Sequence, residues 1–467
     1  MMKYPNLFSP IRIGNIRIEN RIAMAPMAIL GMWNVDGSLN QRAIDYYLER
    51  ARGGTGLIIS TAFKVENRID PLIPDIPLIS PALIASMTEL VEAVHSLGTK
   101  IFIQLTAGFG RVAHPIMLVG PPVSASAIPN FWNPDLVCRG LETDEIATIV
   151  ESFGNASEIL ALTGIDGIEL HGHEGYLFDQ FTTSLWNKRT DQYGGSLENR
   201  LRFPIEVLNQ IKQRLGPDFP VEYRFGLKHY AKDIHQSALP QEEFNEAGRD
   251  TPEGIEMAIA FERAGFDALH VDAGSYDSWY WAHPPNFFDH GCLIDLISEV
   301  RSAVRIPIIA VGRLDNPEII ENAVAENKMD IAAIGRGLLA DPHWAIKAKR
   351  GQDEDIRPCV ACHEGCLNRI FQGKPLSCSL NPATGRERLY ALTPASKPRN
   401  VLIVGGGMGG LEAARVLSLR GHHVKLIEKR TELGGHVVEG CVPEFKKDLR
   451  TLLKWYGRLK QKLWHMP

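Results

Sequence analysis

The sequence predicts an α/β protein: a (β/α)8 TIM barrel, then a cysteine-rich segment, then the start of a Rossmann-like, dinucleotide-binding domain. Three observations carry this prediction. Short apolar runs alternate with amphipathic segments from residue 20 to 350, four of the seven cysteines crowd between residues 359 and 378, and a glycine-rich strand–turn–helix pattern begins at residue 400. The predicted domain ranges are 1–350 for the barrel, 351–398 for the cysteine segment and linker, and 399–467 for the last domain.

The barrel is predicted from eight strand-like runs rich in β-branched residues. They are Ile22–Ala25, Leu57–Ser60, Ile101–Gln104, Gly167–Leu170, Val221–Arg224, Ala268–Val271, Ile308–Val311 and Ile331–Ile334. Helical patterns lie between them at Asn40–Arg52, Ala82–Leu97, Ile146–Leu162, Leu201–Leu215, Glu253–Ala264, Cys292–Val300 and Pro317–Glu326. Eight consecutive units favour a closed parallel barrel over the alternative, a doubly wound open sheet.

Three further segments of the barrel are predicted from local pattern. Ile11–Ile18 alternates around a Gly-Asn turn, which predicts a hairpin that covers the bottom of the barrel. Non-helical insertions at 106–142 and 272–290 follow strands three and six, and such loops build the active sites of barrels. They are therefore candidate substrate walls, with ordinary loop packing as the alternative for their aromatic residues, which are Phe131, Trp132, Tyr276, Trp279, Tyr280 and Trp281.

Composition excludes several classes of partner. A formal net charge of −5 leaves no basic surplus for nucleic acid. The sequence contains no apolar run long enough to predict a membrane span, and its N-terminus lacks the pattern of a secretory signal. A cytoplasmic protein acting on a small molecule is therefore expected, and a homo-oligomer is left open.

The ends of the predicted strands carry the residues that a bound flavin requires. A flat redox ring needs small residues beneath it, an amide or guanidinium group at its polar edge, and glycine-rich turns for a phosphate. The candidates are Ala25, Pro26 and Met27 after strand one, Ala62 after strand two, Gln104 after strand three, Arg224 after strand five, Gly312 and Arg313 after strand seven, and Gly335 and Arg336 after strand eight. This coincidence at six strand ends predicts FMN as a cofactor.

Four cysteines have the spacing of a metal centre. Cys359, Cys362, Cys366 and Cys378 form a C-x2-C-x3-C-x11-C pattern. Structural zinc sites usually consist of two C-x2-C pairs, whereas this spacing favours a [4Fe–4S] cluster. Zinc and free thiols are the alternatives. Three other cysteines, Cys138, Cys292 and Cys441, are interpreted as small buried apolar residues.

The last segment carries a dinucleotide fingerprint in its full context. A strand leads into Gly405, Gly407 and Gly410 in a G-x-G-x-x-G pattern, a helix follows, and a second strand ends at Glu428. This pattern predicts a phosphate-binding turn and a carboxylate for a ribose hydroxyl. It indicates a dinucleotide cofactor, and the glycine pair that ends at Gly435 is more typical of proteins that bind FAD than of those that bind NAD.

These motifs together resemble the old yellow enzyme, or NADH:flavin oxidoreductase, superfamily in its iron–sulfur branch, which includes 2-enoate reductases, 2,4-dienoyl-CoA reductases and bile-acid-inducible oxidoreductases. The resemblance runs from about Leu7 to Gly440 and is carried by Asn20–Met27, Gln104-Leu105, Asp166–Tyr176, Asn187–Ser196, Glu198–Arg200 and Gly335–Gly337. Members of this branch continue well beyond the last residue here. The FAD domain is therefore expected to be incomplete and unable to hold FAD tightly.

The resemblance also implies a catalytic set at the end of strand four. In the family, the tyrosine at the Tyr176 position gives the proton that completes reduction of an activated C=C bond, while hydride comes from flavin N5. The positions of His171 and Glu174 hold the substrate carbonyl. His171 with Glu174 is a hybrid of family patterns, so Glu174 is either a proton relay to Tyr176 or a group that keeps a substrate carboxylate at a distance. A buried hydrogen-bonded cluster without chemistry is the alternative.

Two further histidines and one tyrosine bear on the same site. His173 is expected to point away by strand alternation. A second acid from the loop after strand six, Tyr276 or His283, is a hypothesis taken from the dienoyl-CoA branch.

The predicted function is that of a 2-enoate-type reductase, an NADH:flavin oxidoreductase that takes an enoate or enoyl thioester as substrate. Electrons are expected to pass from NAD(P)H through FAD and [4Fe–4S] to FMN and then to the C=C bond. The alternatives are a 2,4-dienoyl-CoA reductase, an amine dehydrogenase, and a non-catalytic flavin and iron–sulfur electron carrier.

Overall fold

Eight parallel strands close into a barrel, as the sequence predicts. The structure, a computed structural model, describes residues 2–73 and 77–463. The strands are β1 Ile22–Met24, β2 Leu57–Lys64, β3 Lys100–Thr106, β4 Gly167–Gly172, β5 Val221–Gly226, β6 Ala268–Asp272, β7 Ile308–Ala310 and β8 Ile331–Ile334. Each strand pairs with the next, and β8 pairs with β1, so the alternative of an open sheet is wrong.

Eight helices accompany the strands. They are α1 Gln41–Arg52, α2 Leu83–His95, α3 Thr143–Ala161, α4 Leu197–Leu215, α5 Thr251–Ala264, α6 Ile294–Ala303, α7 Pro317–Ala325 and α8 Trp344–Lys349. The first seven confirm predicted helices, with boundaries that differ by a few residues. The sequence analysis missed α8, because six residues are too few to display a helical period.

Short helices follow three of the strands, at Leu177–Thr182, Trp279–Ala282 and Arg336–Ala340. The insertion after β6 was predicted to be non-helical, and the helix Trp279–Ala282 makes that prediction wrong for part of it. The insertion after β3 holds two 3-10 turns and a small strand pair, Val123–Ser124 with Arg139–Gly140. A further pair, Ala231–Asp233 with Gln236–Ser237, follows β5.

The predicted hairpin closes the bottom of the barrel. Ile11–Ile13 pairs with Ile16–Ile18 in antiparallel register, and Gly14 takes the left-handed conformation that the turn requires, with φ +53°. Ile13 and Ile18 are fully buried in an apolar cluster with Phe102 of β3 and Ala268 of β6. The hairpin therefore supplies the lower layer of the barrel core, as expected.

Along the upper part of the strands, side chains alternate between apolar residues that face the surrounding helices and polar residues that face the barrel interior. In β5, Tyr223 points outward and packs against Phe261 of α5 at a centroid distance of 4.4 Å. Its neighbours Glu222 and Arg224 point the other way, into the barrel. Polar side chains therefore fill the interior above the apolar lower layer.

The last segment folds as a small unit against the barrel. Strands β9 Asn400–Val404 and β10 His423–Ile427 pair in parallel and are covered by α9 Met408–Leu419 and α10 Asp448–Leu463. The short helix His436–Gly440 belongs to the same unit, whereas the short helix Leu367–Phe371 of the cysteine segment lies against the barrel. The other face of the strand pair leaves Leu402, Val404 and Ile427 exposed. No helix in the two described ranges is long and apolar enough to cross a membrane.

A buried ionic cluster joins this unit to the barrel. The Arg313 guanidinium after β7 donates to Asp448 at the start of α10. His290 bridges Asp315 at 2.5 Å and Asp448 at 3.3 Å. Burial alone would lower the pKa of His290, but its hydrogen bonds to these two carboxylates outweigh burial and raise the pKa to about 9.

Docking of the last segment is expected to weaken at high pH. Because the pKa of His290 is raised in the folded protein, its contribution is complete below about pH 6.5 and is lost as the pH rises through about 9. Proteolysis of the linker 393–398 should therefore accelerate between these values. His290→Gln is the matched variant, and its cleavage rate should vary less with pH. Identical pH profiles for the two proteins would contradict this role of His290.

Candidate active site

A cavity of about 590 Å³ opens at the carboxyl ends of the barrel strands, a volume typical of cofactor and ligand sites. Every barrel residue predicted to bind the flavin or the substrate contributes to its wall. These are Ala25, Pro26, Met27, Ala62, Gln104, His171, Glu174, Tyr176, Arg224, Gly312, Arg313, Gly335 and Arg336. The fold therefore brings together residues that are more than 300 positions apart in the chain.

The floor of the cavity suits a flat ring. Small side chains line it on β1 and β2, and a Cβ added at Gly335 would meet only Met27 and Ala25, at 3.6–3.7 Å. Gly312 has φ +121° and packs closely on Leu293, so glycine is required there. Among the polar groups, the buried Nε of Arg224 has no hydrogen-bond partner in the described chain. An unpartnered donor beside small residues fits the polar edge of a flavin.

Gln104 and Arg224 are held in fixed orientations. The amide nitrogen of Gln104 donates to Glu169 at 2.7 Å, so its carbonyl oxygen is the end left for a ligand. Arg224 donates to Asp272 at 2.7 Å and lies 3.9 Å from Glu174. Asp272, at the end of β6, was missed by the sequence analysis, although an acid at a strand end is the available signal.

The guanidinium groups of Arg313 and Arg336 are already engaged by the protein. Arg313 donates to Asp448 and to the carbonyl of Phe288. Arg336 donates to the carbonyl of Pro284 at 2.8 Å and contacts His363 of the cysteine segment. Their predicted role near the flavin phosphate stays a prediction, and these contacts indicate that both arginines also join the barrel to the segments that follow.

Tyr176 stands at the centre of the cavity, directly before the helix Leu177–Thr182. Its hydroxyl lies 3.4 Å from that of Tyr276, and its ring packs edge-on against His171 at 4.7 Å. Burial, with smaller contributions from Tyr276 and Glu174, raises the pKa of Tyr176 well above its usual value. The hydroxyl therefore keeps its proton at neutral pH.

His171 is neutral and one of its nitrogens is free. Burial, helped by the charge of Arg224, lowers the pKa of His171 to about 3. Its Nδ1 is buried without a hydrogen-bond partner in the described residues. A satisfied hydrogen-bonded cluster would leave no such atom, so the geometry disfavours the alternative without chemistry.

Glu174 is ionised and is paired with groups other than Tyr176. It adopts a left-handed conformation, φ 66°, which carries its backbone to the loop after β6, where its carbonyl accepts from the amide of Tyr276 at 3.0 Å. Its carboxylate lies 3.5 Å from His283. Burial alone would raise the pKa of Glu174, but His283, His173 and Arg224 outweigh burial and lower it. His173 itself points away from the cavity and lies 3.2 Å from Asp272.

Aromatic rings form the outer wall of the cavity. Trp132 lies 5.9 Å from Tyr276, measured between ring centroids, and Trp279 lies 4.9 Å from Tyr276. Phe371, from the cysteine segment, contacts both tryptophans at 5.9 and 5.2 Å. The predicted loop aromatics therefore form two groups. Trp132, Tyr276 and Trp279 line the cavity, whereas Trp281 stacks on Tyr230 outside it. Phe371 was missed, since nothing in the sequence connects it to the barrel loops.

The four clustered cysteines form no disulfide within the described residues and belong to a segment that lies beside the same cavity. Cys359 and Cys366 contribute to its wall. The carbonyl of Gly365 accepts from the amide of Ser377 at 2.9 Å, and a Cβ added at Gly365 would lie 2.7 Å from the Cα of Cys378, so the segments that carry Cys366 and Cys378 are adjacent. The amide of Ala361 donates to the sulfur of Cys359 at 3.4 Å. Four sulfurs with a backbone donor fit a metal-bound thiolate set.

The glycine-rich turn has the close contacts expected of a dinucleotide fold. Gly405 has φ +103°, and a Cβ at Gly410 would lie 2.0 Å from the Gly405 carbonyl. A Cβ at Gly435 would lie 3.0 Å from the Cα of Gly407, so these two glycines also approach closely. The Glu428 carboxylate accepts from the amide of Gly406 at 2.6 Å, so its binding of a ribose hydroxyl stays a prediction.

A closed barrel with this cavity, followed by a dinucleotide-type turn, defines a flavin-dependent oxidoreductase. Residues 6–355 match the family described as NADH:flavin oxidoreductase / NADH oxidase, and residues 403–455 match an NAD(P)-binding Rossmann-like domain. The chain belongs to the NADH:flavin oxidoreductase / NADH oxidase family. The predicted superfamily, fold class, FMN and NAD(P) binding are confirmed.

Several characterised proteins are similar along almost the whole chain. A cinnamate reductase of Clostridium sporogenes is 49% identical, with 98% of this chain and 70% of the relative covered. An NADH oxidase of Thermoanaerobacter brockii is 40% identical, with 97% and 68% covered. A solved complex of 2-naphthoyl-CoA reductase superposes with a TM-score of 0.89 at 30% identity, covering 98% of this chain and 70% of that one. These similarities support the predicted reduction of activated C=C bonds.

Proposed function

We propose that this chain reduces the C=C bond of aryl-substituted enoates, with Tyr176 as the proton donor. The single observation that carries the proposal is the pairing, in one cavity, of a protonated Tyr176 hydroxyl with the free nitrogen of neutral His171. FMN, when bound on the small residues of the floor, supplies the hydride. The protein itself supplies the acid, Tyr176, and the hydrogen-bonding group, His171.

His171 orients the substrate carbonyl. A carboxylate or thioester group needs hydrogen-bond donors as negative charge develops on its oxygen. His171 lines the cavity, and the ring nitrogen that carries its proton would supply one such donor. Because the pKa of His171 is about 3, the ring stays neutral and its orientation does not vary over the physiological pH range.

Tyr176 gives its proton to carbon and regains it from Tyr276. The two hydroxyls are 3.4 Å apart, and Tyr276 belongs to the aromatic wall at the mouth of the cavity. Glu174 contacts His283 and has no recorded hydrogen bond to Tyr176 within the described ranges. The contacts therefore favour Glu174 as a fixed negative charge over Glu174 as a proton relay.

The aromatic wall favours a substrate with an aryl group. Rings from two barrel loops and from Phe371 surround the outer part of the cavity, and aromatic rings attract one another beyond the burial of their area. The cinnamate reductase at 49% identity acts on an aryl enoate by name, which supports the same class here.

Removal of Phe371 is expected to discriminate between substrates. Because one aromatic contact contributes about 1 kcal/mol, Phe371→Ala should lower kcat/KM for an aryl enoate about fivefold and leave an alkyl enoate nearly unchanged. The matched control is Phe287→Ala, since Phe287 is exposed and lies outside the cavity wall. Equal losses for aryl and alkyl substrates would remove Phe371 from the substrate site.

Electrons are proposed to reach the barrel through the cysteine segment. Cys359, Cys362, Cys366 and Cys378 would hold a [4Fe–4S] cluster, and the fold around Gly405, Gly407, Gly410 and Glu428 would hold FAD and receive NAD(P)H. Two of the cysteines line the flavin cavity, which supports direct transfer between the two centres.

One experiment separates a reductase from an electron carrier. The FMN of the anaerobic protein is reduced with dithionite, and cinnamate, an alkyl enoate and their thioesters are added in turn. The proposal expects flavin reoxidation by the aryl enoate in preference to the others. Preference for a thioester would favour the dienoyl-CoA type, for which the Tyr176–Tyr276 pair offers a second acid. Failure of every compound to reoxidise the flavin would refute reductase function.

A further inference from the structure

Two glutamates and a histidine meet inside the barrel, beneath the cavity. Glu169 of β4, Glu222 of β5 and His270 of β6 are fully buried. Each has a ligand atom within 4.8 Å of the others. The three alternate with outward-facing apolar residues, so all three side chains project into the closed interior. None of the three lines the cavity, although Glu169 accepts a hydrogen bond from Gln104, which does.

The two glutamates have very different partners. Glu169 accepts from Gln104 at 2.7 Å through one oxygen and is hydrogen-bonded to His270 Nδ1 at 2.6 Å through the other. Neither oxygen of Glu222 has a partner among the described residues, and the same holds for Nε2 of His270. Glu222 is therefore buried without any donor.

Two ionised carboxylates cannot share such a site without compensation. Burial of a single unpaired carboxylate is so costly that the group takes up a proton instead. Glu169, with two N–H donors and Arg224 nearby, is the one whose charge is compensated. Burial raises the pKa of Glu222, and the neighbouring charges of Glu169 and Asp267 raise it further. For Glu169, burial acts in the same direction, but His270 and Arg224 outweigh it and lower the pKa.

We infer that Glu222 is a neutral carboxylic acid at physiological pH and donates its proton to an ionised Glu169, which in turn fixes the amide of Gln104. A divalent cation is the alternative for such a ligand set. The proton accounts better for the contacts, because a cation would compete with the N–H groups that already donate to both oxygens of Glu169, whereas each of these oxygens keeps a second lone pair that can accept the proton of Glu222.

Glu169 is thereby a positioning residue for the cofactor. It accepts a hydrogen bond from the amide nitrogen of Gln104, so the carbonyl oxygen of Gln104 would be left to accept an N–H from a bound ligand. Its negative charge lies one hydrogen bond from Gln104, and a fixed negative charge near a bound flavin would disfavour the addition of electrons.

Two isosteric variants test which glutamate carries the charge. Glu169→Gln should raise the midpoint potential of the FMN by about 30 mV or more, which corresponds to a tenfold change in a two-electron equilibrium. Glu222→Gln replaces one neutral group by another and should change that equilibrium less than threefold. Shifts of equal size, or a larger shift in Glu222→Gln, would overturn the inference.

A second measurement does not depend on the stability of Glu169→Gln. At pH 8 the infrared spectrum of the wild-type holoprotein should contain the C=O band of a protonated carboxyl group that Glu222→Gln lacks. Identical spectra in this region would overturn the inference. So would a stoichiometric divalent metal, other than iron, that is present in the wild type and lost from Glu222→Gln.

Discussion

Tyr176→Phe is expected to slow reoxidation of the reduced flavin by an enoate about 100- to 10,000-fold, which is the usual contribution of a general acid. The substitution removes the hydroxyl group, which is the only part of the side chain with a transferable proton. It leaves the packing against His171 and Phe109, whose rings lie 4.7 and 4.8 Å away. Reduction of the flavin by dithionite should be unchanged, because that half-reaction needs no proton donor on the substrate side. Anaerobic stopped-flow absorbance measures both half-reactions.

Tyr276→Phe is the matched control. It keeps the same ring contacts in the wall and removes only the hydroxyl at 3.4 Å from that of Tyr176. Because solvent can also return a proton to Tyr176, the loss should be much smaller, about tenfold at most for a replaceable relay. If Tyr276→Phe lost more activity than Tyr176→Phe, Tyr276 would be the proton donor and the assignment to Tyr176 would be wrong.

Cys378→Ala is expected to abolish the cluster and the one-electron route to the flavin. Loss of one of four thiolate ligands removes a corner of the metal set. Iron and acid-labile sulfide should fall to background, while FMN stays bound and dithionite-reduced FMN is still reoxidised by substrate. This outcome would separate the cysteine segment from the catalytic barrel.

Cys138→Ala is the matched control, because it removes a thiol that lies outside the cysteine cluster. Cys138 is buried in the insertion after β3, and burial raises the pKa of its thiol. Its replacement should leave the iron content unchanged. Zinc in place of iron in the wild-type protein, or full iron content in Cys378→Ala, would contradict the proposed cluster.

The strands of the barrel could be predicted because each is a buried run bounded by turn residues. Ile331–Ile334, for example, has the same limits in the sequence pattern and in the structure. The positions of Gln104, His171 and Arg224 followed from this, since the carboxyl ends of parallel barrel strands share one face. Elements with too few residues for a period, such as α8 and the helix Trp279–Ala282, could not be predicted in this way.

The direction of individual side chains was beyond the sequence. Arg313 and Arg336 follow strands as predicted, yet their guanidinium groups bind Asp448 and Pro284, which lie on distant segments. Phe371 and the Glu169–Glu222 pair depend on contacts between segments far apart in the chain. Such contacts depend on tertiary packing, which local patterns do not encode.

The hairpin at the start of the chain closes the lower end of the barrel and so limits access to the cavity to the upper end. Its isoleucines and Phe102 fill the lower end with hydrocarbon, so within the described residues the strand-end cavity communicates with solvent through its upper mouth. Substrate and product are therefore expected to enter and leave from the same end of the barrel. Product should therefore act as a competitive inhibitor against substrate, and the exchange of one for the other sets an upper limit on turnover.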